Sequence, residues 1–185
     1  MAWTFYHLAN NPSAEEALHQ ELDDVLDGNP PSFADLPRLG HLNRCLTEAL
    51  RMTPPGWIFS RSVTSATELG GVQLPARTDV FWSPYLLHRL PDVFPAPDTY
   101  DPDRWLPERA SSRQWKALLP FGHGSRKCIG DTFGMAEAAL ILAAIASHWR
   151  LVPDPHAPPA RQTVSATMIL RSLPVIALRR RPTFW

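Results

Sequence analysis

The residues best suited to chemistry lie together in Phe121-Gly122-His123-Gly124-Ser125-Arg126-Lys127-Cys128-Ile129-Gly130. Cys128 is one of two cysteines in the chain and sits where a glycine-rich loop runs into a long apolar helix. The positive end of a helix dipole favours a thiolate there. A stabilised, partly shielded thiolate is what an axial haem-iron ligand requires. Gly122 and Gly124 permit backbone turns that a side chain would block. Arg126 places a fixed cation two residues from the thiol, within reach of a haem propionate. Phe121 offers an aromatic wall against water, and Gly130 leaves room beside the sulfur. The bland alternative is a packing cysteine, the usual fate of a free one.

The spacing Phe-x-x-Gly-x-Arg-x-Cys-x-Gly resembles the haem-binding loop of the cytochrome P-450 family, with every defining position filled. Upstream, Glu48 and Arg51 stand at i and i+3 on one helix face, just before Pro54-Pro55. Taken alone they read as a surface ion pair worth less than about 1 kcal/mol. Glu-x-x-Arg before Pro-Pro is, however, what the same family carries ahead of its cysteine loop. The resemblance implies that the pair is buried and joined by a second arginine. Arg104 in Pro102-Asp103-Arg104-Trp105 fits that position. Buried charges must be paired, so Glu48, Arg51 and Arg104 are expected to form a structural triad on the proximal side of the haem.

The resemblance also implies that Arg61, ten residues before Gly71, pairs with a haem propionate. Trp57, Ile58 and Phe59 fall where the family lines its substrate pocket, and Thr167, Met168 and Ile169 where a late loop touches substrate. His88-Arg89-Leu90-Pro91 resembles a family segment, but His88 is assigned no chemistry. His123 and Cys128 lack two further ligands at metal-site spacing.

Implied with the family are thiolate-ligated haem (heme b, iron protoporphyrin IX) as cofactor and O2 as co-substrate. The implied reaction is a monooxygenase's: one oxygen atom enters a C–H or C=C bond of a hydrophobic small molecule and the other leaves as water. Electrons are expected from a ferredoxin or flavodoxin with its reductase. The flavour of the loops is similar to that of bacterial members acting on terpenoids. Other readings of the same residues are a haem-thiolate isomerase, dehydratase or peroxygenase, a non-catalytic haem-binding remnant, and an α+β domain without haem.

At 185 residues the chain is one domain's worth of sequence. A formal net charge of zero favours neither nucleic acid nor an anionic membrane. Two distant cysteines make no disulfide framework. No leader and no membrane-length apolar run is visible, so a soluble cytoplasmic protein is expected. Twenty prolines are about twice the average usage and predict a loop-rich middle.

The elements that must position these groups follow from periodicity. Met1 to Ala9 is apolar and aromatic with no cap before it, as if the chain began inside a helix. Ser13 and Glu16 suggest a capping box, and Gly28 closes that helix. Leu36 to Met52 is the next helix, with Leu39, Leu42, Leu46 and Leu50 on one face. Short strands turn at Gly70-Gly71 and at Pro75 to Thr78. A short helix spans Ser83 to Leu90, and a proline-rich meander runs from Pro91 to Pro107. Ile129 to Trp149 is a long helix whose packing face is Phe133, Ala136, Leu140, Ala143, Ala144 and Ser147. Pro153 ends it, and Val152 to Pro159 is a loop. Val164 to Leu170 and Pro174 to Leu178 read as a hairpin, and Arg179-Arg180-Arg181 as a solvated tail.

The fold class is α+β, mainly α: the C-terminal portion of the P-450 fold, with residues 1–185 forming part of one domain. The family's distal-helix motif and its N-terminal half are not in the sequence. The isolated chain is therefore expected not to be a competent monooxygenase.

Overall fold

The structure is a computed structural model and describes residues 1–180. Four helices carry the core: α1 (Ala2–Ala9), α2 (Pro12–Leu26), α3 (Gly40–Met52) and α6 (Asp131–Ala146), with α4 (Pro84–Leu87) and α5 (Ser112–Ala117) in the connecting region. Leu18, Leu22, Leu42, Leu46, Leu142 and Ala143 meet at their centre. Among the described residues, four two-stranded antiparallel sheets flank them. They pair β1 (Phe59–Ser62) with β4 (Asp79–Trp82), β2 (Thr67–Leu69) with β3 (Val72–Leu74), β5 (Trp149–Pro153) with β8 (Val175–Arg179), and β6 (Gln162–Val164) with β7 (Met168–Leu170). Gly70 and Gly71 both take positive φ between β2 and β3, as a tight two-residue hairpin turn requires.

The helix starts depart from the sequence expectation. Pro12, pre-set for the first helical position, opens α2 behind Asn11, so Ser13 lies inside the helix and its capping box does not form. The neighbouring Glu15 turns toward β5. There it accepts from Arg150 Nε at 3.0 Å and from the Leu151 N–H at 3.2 Å. The helix expected from Leu36 is broken: Pro37 sits in a 3-10 turn, Phe33–Arg38, and α3 begins at Gly40. Leu39, the N-cap of α3, has no oxygen-bearing side chain. The cap comes from α2, where the Glu21 carboxylate accepts the His41 and Leu42 N–H groups at 2.6 and 2.8 Å.

The C-terminal third is rearranged more. α6 ends at Ala146, and Trp149 to Pro153, expected as helix end and loop, form β5. The buried stripe of α6 is Ala139, Leu142, Ala143 and Ala146, whereas Phe133 and Ala144 are exposed. The expected hairpin between Val164–Leu170 and Pro174–Leu178 does not form. Ser165 to Thr167 close a three-residue loop that pairs β7 with the nearer β6. β8 is left to pair with β5, Leu151 opposite Ala177. Arg180 is no solvated tail: it reaches Asp23 on α2 at 3.1 Å and the Ala146 carbonyl at 2.9 Å. Arg181 lies outside the described residues.

Residues 91–107 form the expected meander, with Phe94 fully buried. Tyr100 packs flat on His7, ring centroids 5.0 Å apart, and its hydroxyl donates to the Cys45 carbonyl at 2.9 Å. Tyr100→Phe keeps the stacking and loses this buried hydrogen bond. The expected cost is about 1 kcal/mol, read as a lower urea midpoint at unchanged slope.

Candidate active site

Cys128 is exposed, two residues before the Gly130 N-cap of α6. Its loop is shaped by short-range backbone bonds. The Cys128 N–H donates to the Phe121 carbonyl at 2.9 Å, the Gly122 N–H to Leu119 and the Lys127 N–H to Gly124. Gly122 and Gly124 have φ of +73° and +70°, values that disfavour any side chain. A Cβ at Gly130 would lie 3.9 Å from the Cys128 sulfur, so glycine keeps that side of the thiol open. Lys127 and Asp131 pair one turn apart, and that contact holds the Asp131 carboxyl below its ordinary value.

The donor set fits a thiolate-ligated haem. The thiol is accessible, and Ile129 and Phe133 beside it stand 103% and 73% exposed. Arg126 is exposed and has no hydrogen-bond or ionic partner among the described residues, which leaves its cation available to an anionic group. Cys45 has none of these properties. It is fully buried on α3, and burial pushes its thiol up to about 12. Among the described residues no three His, Cys, Asp or Glu side chains converge as a metal cluster.

The structure brings Glu48, Arg51 and Arg104 together. The Glu48 carboxylate is completely buried. It accepts from Arg51 Nε and Nη2 at 2.9 Å each, from Arg104 Nε at 3.2 Å and from Trp105 Nε1 at 2.9 Å. The Asp101 N–H adds a further bond at 3.2 Å. Further guanidinium donors reach carbonyls: His88 and Thr99 for Arg51, Pro95 and Ala96 for Arg104. The cluster clamps the end of α3 to the meander.

His88 was passed over in the sequence, and it is fully buried at this clamp. Its Nε2 accepts the Leu119 N–H at 2.9 Å, so the ring proton sits on Nδ1 and is donated to the Arg51 carbonyl at 3.0 Å. Burial pushes this imidazole down to about 4. The signal available in the sequence was His-Arg-x-Pro, which names a position without showing its partners.

Arg61 is exposed on β1, hydrogen-bonded to the Ser60 carbonyl and lying over Trp82 at 5.1 Å; it has no hydrogen bond or ion pair to the cysteine loop. The two segments expected to line a pocket do come together. Trp57 Nε1 donates to the Ser165 carbonyl at 2.8 Å, and the Met168 N–H to the Pro55 carbonyl at 2.9 Å. Met168 is buried, Ile58, Thr167 and Ile169 are exposed, and Phe59 stacks on Trp82. Gly56 was missed: a Cβ there would meet the Phe59 ring at 2.6 Å, so the absence of a side chain lets Phe59 fold over the chain.

Residues 1–177 match the family profile described as Cytochrome P450. The chain is 57% identical to cyclooctatin synthase of Streptomyces melanosporofaciens over 84% of its length and 34% of the relative's. To pentalenene oxygenase of Streptomyces avermitilis it is 45% identical, over 85% of this chain and 35% of that one. The crystal structure of the cytochrome P450DA heme domain superposes with a TM-score of 0.89 at 30% identity, covering 98% of this chain and 40% of that one. The chain belongs to the cytochrome P450 family. It spans about a third of the length of the curated relatives it matches. Its helices with small antiparallel sheets are part of that fold.

Proposed function

We propose that this chain supplies the thiolate-ligand side of a haem-thiolate monooxygenase, in which one atom of O2 enters a hydrophobic small molecule. The observation that carries the proposal is the contrast between the two cysteines: Cys128 exposed in a loop held open by glycines, Cys45 sealed in the core. Bound through its iron to sulfur, haem supplies the oxygen-activating chemistry. The chain's own residues bind and shield. Cys128 Sγ is the ligand and Phe121 limits water at the sulfur. Gly122 and Gly130 admit the close approach. Arg126 and Arg61 are the cations for the propionates. Glu48, Arg51 and Arg104 hold the proximal framework without touching the reacting atoms.

Trp57, Ile58, Phe59, Thr167, Met168 and Ile169 form one wall of the substrate pocket. Relatives named cyclooctat-9-en-7-ol 5-monooxygenase and pentalenene oxygenase support a terpenoid-like substrate. A ferredoxin or flavodoxin with its reductase is the electron donor, in the cytoplasm. No helix among the described residues is long and apolar enough to cross a membrane.

The test is the reduced, CO-bound spectrum of the chain reconstituted with haem. The thiolate-shifted Soret band is expected in the parent and in Cys45→Ala, and is expected to vanish in Cys128→Ala. A band that survives Cys128→Ala sinks the assignment.

A further inference from the structure

We propose that His88 is the positioning residue that hangs the cysteine loop from the Glu48–Arg51–Arg104 cluster and so sets the place of the Cys128 sulfur. The inference rests on the haem-thiolate reading of Cys128. Three hydrogen bonds carry it. Arg51 Nη1 donates to the His88 carbonyl at 2.9 Å, His88 Nδ1 donates to the Arg51 carbonyl at 3.0 Å, and the Leu119 N–H donates to His88 Nε2 at 2.9 Å.

The first two make a reciprocal clasp on the end of α3, which fixes the ring. The third passes that fixity to Leu119, where the cysteine loop begins. From Leu119 the path to sulfur is short: its carbonyl receives the Gly122 N–H, and the Phe121 carbonyl receives the Cys128 N–H. Phe94 packs edge-on against the imidazole at 6.1 Å and closes the site to water. A fully buried ring bonded at both nitrogens is a rigid strut. The loop's other tie is at its far end, where the half-exposed Lys127 pairs with Asp131 on α6; residues 123–129 are exposed, and the loop's internal bonds shape the turn without fixing where its Leu119 end stands.

Two substitutions separate the two ring nitrogens. The amide of Asn reaches the place of Nδ1, so His88→Asn keeps the bond to Arg51 and drops Leu119. The amide of Gln reaches the place of Nε2, so His88→Gln keeps Leu119 and drops Arg51. In the haem-free chain, His88→Asn is expected to raise hydrogen exchange at the Leu119, Gly122 and Cys128 amides about tenfold, the loss of roughly one buried hydrogen bond. His88→Gln is expected to stay close to the parent there. With haem and CO, His88→Asn is expected to move most of the absorbance from the thiolate band to the short-wavelength band, and His88→Gln to retain it.

If both variants lose stability alike while loop exchange and the thiolate fraction stay at parental values, His88 is packing only and the proposal is overturned. Should His88→Asn fail to fold, through-hydrogen-bond coupling between the Leu119 amide nitrogen and His88 Nε2 in the 15N-labelled parent decides. Its presence supports the strut and its absence removes it. A parent chain with no thiolate band but with the expected exchange pattern overturns the function proposed above and leaves His88 as the loop's anchor.

Discussion

Glu48→Ala is expected to cost about 3–5 kcal/mol, a large fraction of the stability of an ordinary domain. The completely buried carboxylate is, among the described residues, the one acid that pairs with both Arg51 and Arg104. Removing it strands two guanidinium groups away from water and frees Trp105 Nε1 and the Asp101 N–H at the same time. Location decides the size of this effect. Arg109 pairs with Asp101 only a few residues from Arg104, but its side chain is 49% exposed. Arg109→Ala is therefore expected to cost less than about 1 kcal/mol. Urea unfolding of the two variants beside the parent checks the contrast. Equal midpoints for Glu48→Ala and Arg109→Ala would show that water reaches the cluster.

Stability is also expected to fall steeply as pH drops from about 6.5 to about 4. His7, His19 and His88 are buried, and burial lowers each from 6.5 to about 4. In that window the unfolded chain binds protons that the folded chain refuses, so the unfolded state gains with acid. Each unit of difference is worth about 1.4 kcal/mol per group, so three such histidines together supply several kcal/mol. The Arg51 charge reinforces burial at His7, as Arg180 does at His19, whereas at His88 the bond to the Arg51 carbonyl works against burial without overcoming it. At His88 the structure adds a reason of its own: Nε2 accepts the Leu119 N–H at 2.9 Å, and a proton on that nitrogen would break the bond. Glu15 acts in the opposite sense, because burial raises its carboxyl and the folded state holds that proton more tightly. The expected result is a loss of unfolding free energy that begins near pH 6.5 and slackens below about 4. A flat profile over that range would contradict the burial of these rings.

Much of the candidate site was legible because its residues announce themselves by type and spacing. Glycines, a cysteine and an arginine at fixed offsets mark the loop, and the backbone bonds that shape it are local. Glu48 and Arg51 were legible as a pair, since one helix turn brings them together. What hid was anything held from a distance. His88 acts through Arg51 and Leu119, 37 and 31 residues away, and nothing in its own neighbourhood reveals either partner. Gly56 matters because of where one phenylalanine ring folds back. The same limit explains the strand errors: Val175–Arg179 has an apolar pattern that suits either neighbour, and only the closed loop at Ser165 to Thr167 sends it to β5. At the helix starts, Pro12 and Pro37 overrode capping and periodicity signals that pointed a few residues elsewhere.

The borrowed cap on α3 bears on the order in which the molecule assembles. The first turn of α3 is satisfied by Glu21, 20 residues earlier on another helix. Until α2 is in place, that turn offers bare amides to water and gains little by winding up. The two helices are therefore bound to form and melt as one cooperative unit. The thiol loop hangs from the far end of α3 through Arg51 and His88. During refolding it inherits this dependence: the hydrogen bond from Leu119 to His88 has nothing to hold to until the turn of α3 that carries Arg51 has formed.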